Sequence, residues 1–105
     1  MKITYSTVLV LEALARGYRY GFDILDATNL PSGTVYPILR RFENEGLVTS
    51  QWEAHGTATR DQRPPRRYYV LTADGKKLLA QAADRYRATH DIVPRRSRAL
   101  KPTRA

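Results

Sequence analysis

Residues 30–42 read Leu30-Pro31-Ser32-Gly33-Thr34-Val35-Tyr36-Pro37-Ile38-Leu39-Arg40-Arg41-Phe42, and the fold turns on whether they form one helix. The stretch opens as helices do, with proline and serine ahead of an apolar periodic run. It then places a β-branched pair, a tyrosine and a second proline within one turn, where Ala, Glu or Lys would make a steadier helix. At about 100° per residue, Val35, Ile38, Leu39 and Phe42 share one arc of the width that faces a core. The opposite arc carries Gly33, Tyr36, Pro37, Arg40 and Asn44, with Thr34 and Arg41 on its flanks. The spacing therefore predicts an amphipathic helix from Ser32 to about Gly46. Pro37 forgoes a bond to the Gly33 carbonyl, which predicts a distorted first turn or a regular helix that begins after Ser32. Plain solvent is the ordinary explanation of an outer face. Two features weigh against it. Glu43 and Glu45 follow the arginines and offset their charge, so the face is not a uniform basic run, and Tyr36 and Pro37 are poor choices for a passive exposed surface.

Upstream, Ser6-Thr7 precede Val8-Leu9-Val10-Leu11-Glu12-Ala13-Leu14-Ala15-Arg16, which stops at Gly17. The run from Val8 to Leu11 suits a buried strand by composition. The hydroxyl start, the alanines, Arg16 and the closing glycine favour a helix. A second short helix follows over Phe22–Thr28, with Phe22 and Leu25 three apart, and Asn29-Leu30-Pro31 breaks the chain as a turn. Downstream, Leu47–Glu53 is β-branched and aromatic enough for a strand. Ala54–Pro65 reads as an exposed loop, and Arg66–Leu71 as a second strand, so the two form a hairpin with a long basic tip. Thr72 caps a fourth helix with Leu78, Leu79, Ala82, Ala83 and Tyr86 at helical spacing, ending by Pro94. Trp52 and the pair Tyr68-Tyr69 read as packing within the hairpin. The order helix, helix, helix, strand, strand, helix is the winged helix-turn-helix arrangement, mainly α with one β-hairpin. Residues 1–75 form the winged helix-turn-helix unit, 72–93 a C-terminal helix, and 94–105 a basic tail too poor in apolar residues to pack.

The bulk numbers agree with one small soluble domain: 105 residues, 42% hydrophobic and 27% charged. So small a core makes a dimer a fair expectation. With no cysteine, disulfides and thiolate metal or redox sites are excluded. His55 and His90 are too few and too far apart for a closed zinc site, and no cofactor is implied. No apolar run approaches the ~20 residues that span a bilayer, and Met1-Lys2 leads into polar residues rather than a signal peptide, so an intracellular, bacterial cytoplasmic setting is expected. The net charge is +8, but residues 95–105 hold five bases and no acid. Removing those five from 18 leaves 13 bases against 10 acids, a body of only +3. Charge alone thus points to a polyanionic partner without identifying one.

The third helix is more specific. A helix whose first turns carry Ser, Thr, Tyr and then Arg suits the major groove of DNA, where helix-turn-helix proteins insert the N-terminal part of the recognition helix. Arg40 has the reach to read a guanine edge in bidentate fashion, and Thr34 and Tyr36 to meet a phosphate or a thymine methyl.

These residues resemble the PadR family of bacterial transcriptional regulators. The resemblance lies in Tyr20-Gly21-Phe22-Asp23-Ile24, in the block from Leu30 through SGTVYPILRRFENEGLV to Val48, and in Arg63–Gly75, RPPRRYYVLTADG. It spans essentially Ser6 to Gly75; the family's usual HGYEI appears here as YGFDI. It implies a homodimeric winged-helix DNA binder, usually a repressor on an inverted-repeat operator. Carried over residue by residue, it points to Ser32, Thr34, Tyr36, Pro37 and Arg40 on the helix, beside Arg41 and Asn44 from the face analysis. On the wing it points to Arg60 and Arg63 near the tip and to Arg66; Arg66 or Arg67 has the alternative of covering Trp52 or pairing with Glu53. The family's C-terminal region dimerises and often forms a ligand pocket. Here that region is one helix, so Leu78, Leu79, Ala82 and Tyr86 are the candidate dimer contacts, packing against the first helix of either protomer. Short members that grip flat drugs use aromatics near the dimer axis. Only Tyr86 is aromatic on this helix, so a small-molecule effector is allowed but not indicated.

Two other readings stay open. One is a nonspecific nucleic-acid or ribosome-associated protein that relies on the tail; the other is a winged-helix protein-interaction module. An enzyme is not expected, since no nucleophile–base set, metal cluster or phosphate-cradling glycine loop appears.

Overall fold

The computed structural model describes residues 3–54 and 64–86. Its elements are α1 (Tyr5–Ala15), α2 (Gly21–Thr28), α3 (Ser32–Asn44), β1 (Val48–Trp52), β2 (Arg67–Leu71) and α4 (Ala73–Tyr86). The chain is mainly helical with one antiparallel hairpin, as the sequence order requires. The tip arginines Arg60 and Arg63, and the tail, lie outside the described residues.

α1 begins earlier than Ser6-Thr7 suggested. Thr4 is its N-cap: the Thr4 Oγ1 accepts from the Thr7 backbone N–H at 3.2 Å, and the Thr4 N–H donates to the Thr7 Oγ1 at 2.9 Å. This reciprocal pair satisfies two donors that a helix start leaves unbonded. The run Val8–Leu11 is helical and buried on every side, since α2, α3, α4 and β2 all pack on α1. Its apolar residues therefore show no stripe, which is why composition alone left a strand open. Glu12, the one acid in this buried helix, is neutralised by Arg16 one turn on, at 3.1 Å.

α2 buries Ile24 and Ala27 instead of the Phe22–Leu25 edge; Phe22 is 44% exposed and Leu25 half-buried. Thr28 closes the helix by donating its hydroxyl to the Ile24 carbonyl at 2.7 Å. Asn29 then takes the left-handed conformation, φ 60°, a role that few residues other than glycine and asparagine fill cheaply. That kink starts the short turn into α3.

α3 begins at Ser32 with Pro31 at its N-cap, and it runs unbroken through Pro37. The Pro31 carbonyl accepts from the Thr34 and Val35 N–H groups at 2.9 and 3.1 Å, so the first turn is formed. The expectation that the regular helix starts after Ser32 is corrected. Pro37 lacks only the bond that would reach Gly33, and Gly33 is exposed, so its carbonyl is open to water. Val35, Ile38, Leu39 and Phe42 are all buried, as their spacing predicted.

Gly46, φ 75°, turns the chain out of α3 into the hairpin. β1 and β2 pair antiparallel with Val48 opposite Leu71 and Trp52 opposite Arg67. The chain between α1 and α2 adds a third edge: the Tyr69 N–H donates to the Arg19 carbonyl at 2.8 Å, and Tyr20 bridges Tyr68. At the hairpin base the Thr72 N–H donates to the Leu47 carbonyl at 3.0 Å and its hydroxyl to the Gly46 carbonyl at 2.6 Å. The same hydroxyl accepts from the Gly75 N–H at 3.1 Å, the N-cap bond expected of Thr72.

Gly75 is required here by space. A Cβ on it would drive into the Leu47 carbonyl oxygen and lie 2.8 Å from a methyl of Leu71. A backbone carbonyl cannot swing aside, so Gly75→Ala should cost about 1–3 kcal/mol in urea denaturation. Lys76→Ala, at an exposed position next door, should stay within about 0.5 kcal/mol of wild type.

Candidate nucleic-acid interface

The outer face of α3 is where the sequence placed it. Ser32, Gly33, Tyr36, Pro37, Arg40, Arg41 and Asn44 are exposed, and Thr34 is half-buried. Ser32 and Gly33 are the first two helical residues, and the Pro31 carbonyl serves only the N–H groups after them. The start of α3 thus presents open donors and the positive end of the helix dipole.

The charge around Arg40 and Arg41 differs from the sequence expectation. Glu43 does not offset them. It turns to the wing, accepting from the Arg67 guanidinium at 3.2 Å on both oxygens and from the Ser50 hydroxyl at 2.5 Å. Arg67 also donates to Ser50 through Nε at 2.9 Å and Nη2 at 2.7 Å. Among the described residues no ion pair takes up Arg40 or Arg41. This Glu43–Ser50–Arg67 cluster couples α3 to both wing strands, and periodicity could not reveal it because Arg67 is 24 residues from Glu43.

Tyr36 is less free than its exposure, 40%, suggests. Its ring lies over Gly21 at the start of α2, so close that a Cβ there would stand 2.5 Å from both the ring edge and the hydroxyl. Tyr36 is therefore seated against the preceding helix, and Gly21 is the seat. Helical spacing singles out Tyr36 but carries no signal of this partner, which lies 15 residues earlier in the chain.

The wing arginines divide. Arg66 sends its backbone N–H to the Glu53 carboxylate at 2.9 Å, while its guanidinium lies 5.1 Å from the ring centre of Phe22. It also acts on Asp23. Burial raises the Asp23 carboxyl above its ordinary value, Arg66 pulls it back down, and Asp26 adds to the rise. The structure thus holds Arg66 against α2. Arg67 stands 5.9 Å from the Trp52 and Tyr69 ring centres. Tyr69 is buried and Tyr68 half-buried, with the Tyr68 hydroxyl donating to Gln51 Oε1 at 2.8 Å. Trp52 corrects the packing expectation: it is 64% exposed.

On α4, Leu79 and Ala82 are buried within the chain's own core, and Leu78 is half-buried against it. The helix α1 of the same chain packs on α4, and Leu79 and Ala82 belong to the core between them and the rest of the chain. Tyr86 ends the helix as described. Among the described residues, no three His, Asp or Glu side chains are placed to hold a metal, and no helix is long and apolar enough to cross a membrane.

A tri-helical core, a helix-turn-helix with an exposed polar second helix, and a hairpin tied to it define a winged-helix DNA-binding protein. A family model described as the transcriptional regulator PadR-like family matches residues 10–81. The chain belongs to that family, one of transcriptional regulators and not of enzymes. It resembles the crystal structure of a PadR family transcription regulator from hypervirulent Clostridium difficile R20291, with 26% identity and TM-score 0.68 over 83% of this chain and 92% of that one. A PadR-like transcription factor from Bacteroides fragilis matches at 27% identity and TM-score 0.62, covering 80% of this chain and 82% of its own. A family member from Eggerthella lenta DSM 2243 matches at 26% identity and TM-score 0.60, covering 83% of this chain and 79% of its own. No match was found among curated proteins.

Two predictions test this geometry. In wild type, Gly21→Ala should lower stability or leave it unchanged, because the methyl evicts Tyr36. In a Tyr36→Ala background the same change should stabilise by up to about 1 kcal/mol, the usual gain of alanine over glycine in a helix, as read by a urea double-mutant cycle. Arg66→Ala should destabilise most where Asp23 is ionised. Loss of the cation raises the folded Asp23 pKa further, so the deficit is full at neutral pH and shrinks as pH falls toward the ordinary 3.8. Thermal melts of both proteins across that range measure it.

Proposed function

We propose that this chain is a PadR-like repressor that binds an inverted-repeat operator as a homodimer, inserting α3 into the major groove. The observation that carries this reading is the exposed strip Ser32, Tyr36, Pro37, Arg40 and Asn44, together with the release of Arg40 and Arg41 from Glu43. Arg40 projects from the third turn, where a bidentate guanine contact fixes sequence. Arg41, Asn44 and Thr34 flank it. Ser32 and the open N–H groups of the first turn suit a phosphate, which sets register without reading bases. Tyr36, held on Gly21, offers its hydroxyl to the same backbone at little entropic cost. Pro37 keeps an amide donor off this face and fixes the local backbone.

On the wing, Arg60 and Arg63 are the proposed backbone or minor-groove contacts. Arg66 contributes at the edge of that surface from its place beside Phe22. A two-fold dimer makes the operator palindromic, with half-sites about 34–36 Å apart or a multiple of that. Leu78 and Tyr86 of α4 are the proposed dimer contacts, Leu79 and Ala82 backing them from the core. The gap between the two α4 helices is the proposed place for a small-molecule effector, which would act by altering that spacing.

Selection of bound sequences from a random duplex pool tests the reading. It should return an inverted repeat, and Arg40→Ala should cost about 1–3 kcal/mol on that sequence while relaxing one base position in each half-site. A pool without a motif, together with affinity that collapses when residues 95–105 are removed, would instead establish a nonspecific nucleic-acid binder.

A further inference from the structure

The wing carries a side chain that neither the core nor the proposed base readout uses. Trp52 is the chain's single tryptophan and the most exposed of the large apolar residues described. An indole left in water forgoes the burial that is its main contribution to a fold. Strand alternation fixes which way it faces. Val48, Ser50 and Trp52 lie on one face of β1, opposite Leu71, Tyr69 and Arg67 of β2. That is the face turned to α3, because Ser50 and Arg67 both bond Glu43 there.

A continuous strip results. It starts at Tyr36 and Arg40, which share a face of α3 with Glu43, passes the Arg67 guanidinium bonded to that carboxylate, and ends at Trp52. Glu43, whose carboxylate lies along it, is neutralised by Arg67. The remaining charge on the strip is positive, so the complementary partner is a polyanion rather than an acidic or neutral cleft.

Distance decides which part of a duplex Trp52 meets. At about 3.3 Å per residue, Trp52 lies about 13 Å along the strand from Val48, which adjoins the end of α3. The major groove is about 12 Å wide. A helix that fills the groove therefore leaves Trp52 at its rim, over sugar and phosphate rather than base edges. We infer that Trp52 is a sequence-blind contact to duplex DNA, with its ring on the deoxyribose and its indole N–H donating to a phosphate oxygen beside the groove occupied by α3. The inference rests on the DNA-binding reading above.

The contact adds no charge and reads no base, and this gives it a distinctive signature. With the full-length chain, a labelled duplex from the selected pool and a scrambled duplex, anisotropy titrations report binding and Trp52 emission reports the contact. Both duplexes should shift the emission to the blue and protect it from acrylamide. Trp52→Ala should weaken both duplexes by a similar factor, on the order of tenfold, and Trp52→Phe should recover most of the loss. The ratio between the duplexes and the slope of log K against log salt should not change, whereas loss of a phosphate-binding Lys or Arg lowers that slope. Binding by anisotropy with unaltered Trp52 emission, or wild-type affinity in Trp52→Ala, overturns the inference and leaves the DNA-binding reading standing. Emission that is already blue in the free protein and moves red on dilution assigns Trp52 to a second copy of the chain and overturns it too. If neither duplex binds at low salt, the DNA-binding reading itself falls.

Discussion

A short helix that is apolar on all its sides has to be enclosed, and in this protein the enclosure of α1 determines where everything else goes. Val8, Val10, Leu11 and Ala13 have no exposed surface. α2, α3, α4 and β2 all pack against α1. Each of those elements gives one face to α1 and keeps the other. For α3 the kept face is the one that carries Tyr36, Arg40 and Asn44. The surface proposed to face DNA is thus the remainder after the core has taken Val35, Ile38, Leu39 and Phe42. Its position is as rigid as the packing behind it.

Much of this was readable because it depends on local periodicity. Four residues on one arc of α3, the hydroxyl of Thr72 before an apolar run, and two β-branched segments around a polar loop each identify an element from nearby residues alone. The family block did the same for the fold as a whole. What escaped the sequence depends on contacts between distant segments. Phe22 and Leu25 share a helical edge, but burial of α2 through Ile24 and Ala27 was decided by where α1 lies. Glu43 appears beside Arg40 and Arg41 in the chain, yet its carboxylate goes to Arg67. Tyr36 looked like an unpartnered aromatic because the glycine beneath it is 15 positions earlier. The start of α1 was misplaced for a smaller reason: Thr4, Ser6 and Thr7 are all plausible caps, and only the reciprocal bonding of Thr4 with Thr7 chooses among them.

The polar groups near the wing show how a basic surface is kept ordered. Arg19 stacks on Tyr68 at 4.5 Å, Arg66 on Phe22 and Arg67 beside Trp52 and Tyr69, so each guanidinium rests on a ring. Such contacts hold a cation in place without removing its charge from view. Carboxylates are used sparingly and in defined places: Glu43 on Arg67, and Glu53, which accepts from the Tyr20 hydroxyl at 3.0 Å and from the Arg66 backbone. Among the described residues, the arginines of α3 itself have neither support. They keep the rotamer freedom that the proposed contact with a groove would use.

The junction at the base of the hairpin has a mechanical consequence. Gly46 and Leu47, which leave α3, are bonded to Thr72, which starts α4, while Gly75 lies hard against the Leu47 carbonyl. With no slack between them, the two helices share a pivot. A tilt of α4 by even a fraction of a turn displaces the C-terminal end of α3 instead of being absorbed in a flexible connection. The hairpin leaves and returns at that same pivot, so its strands ride with both helices.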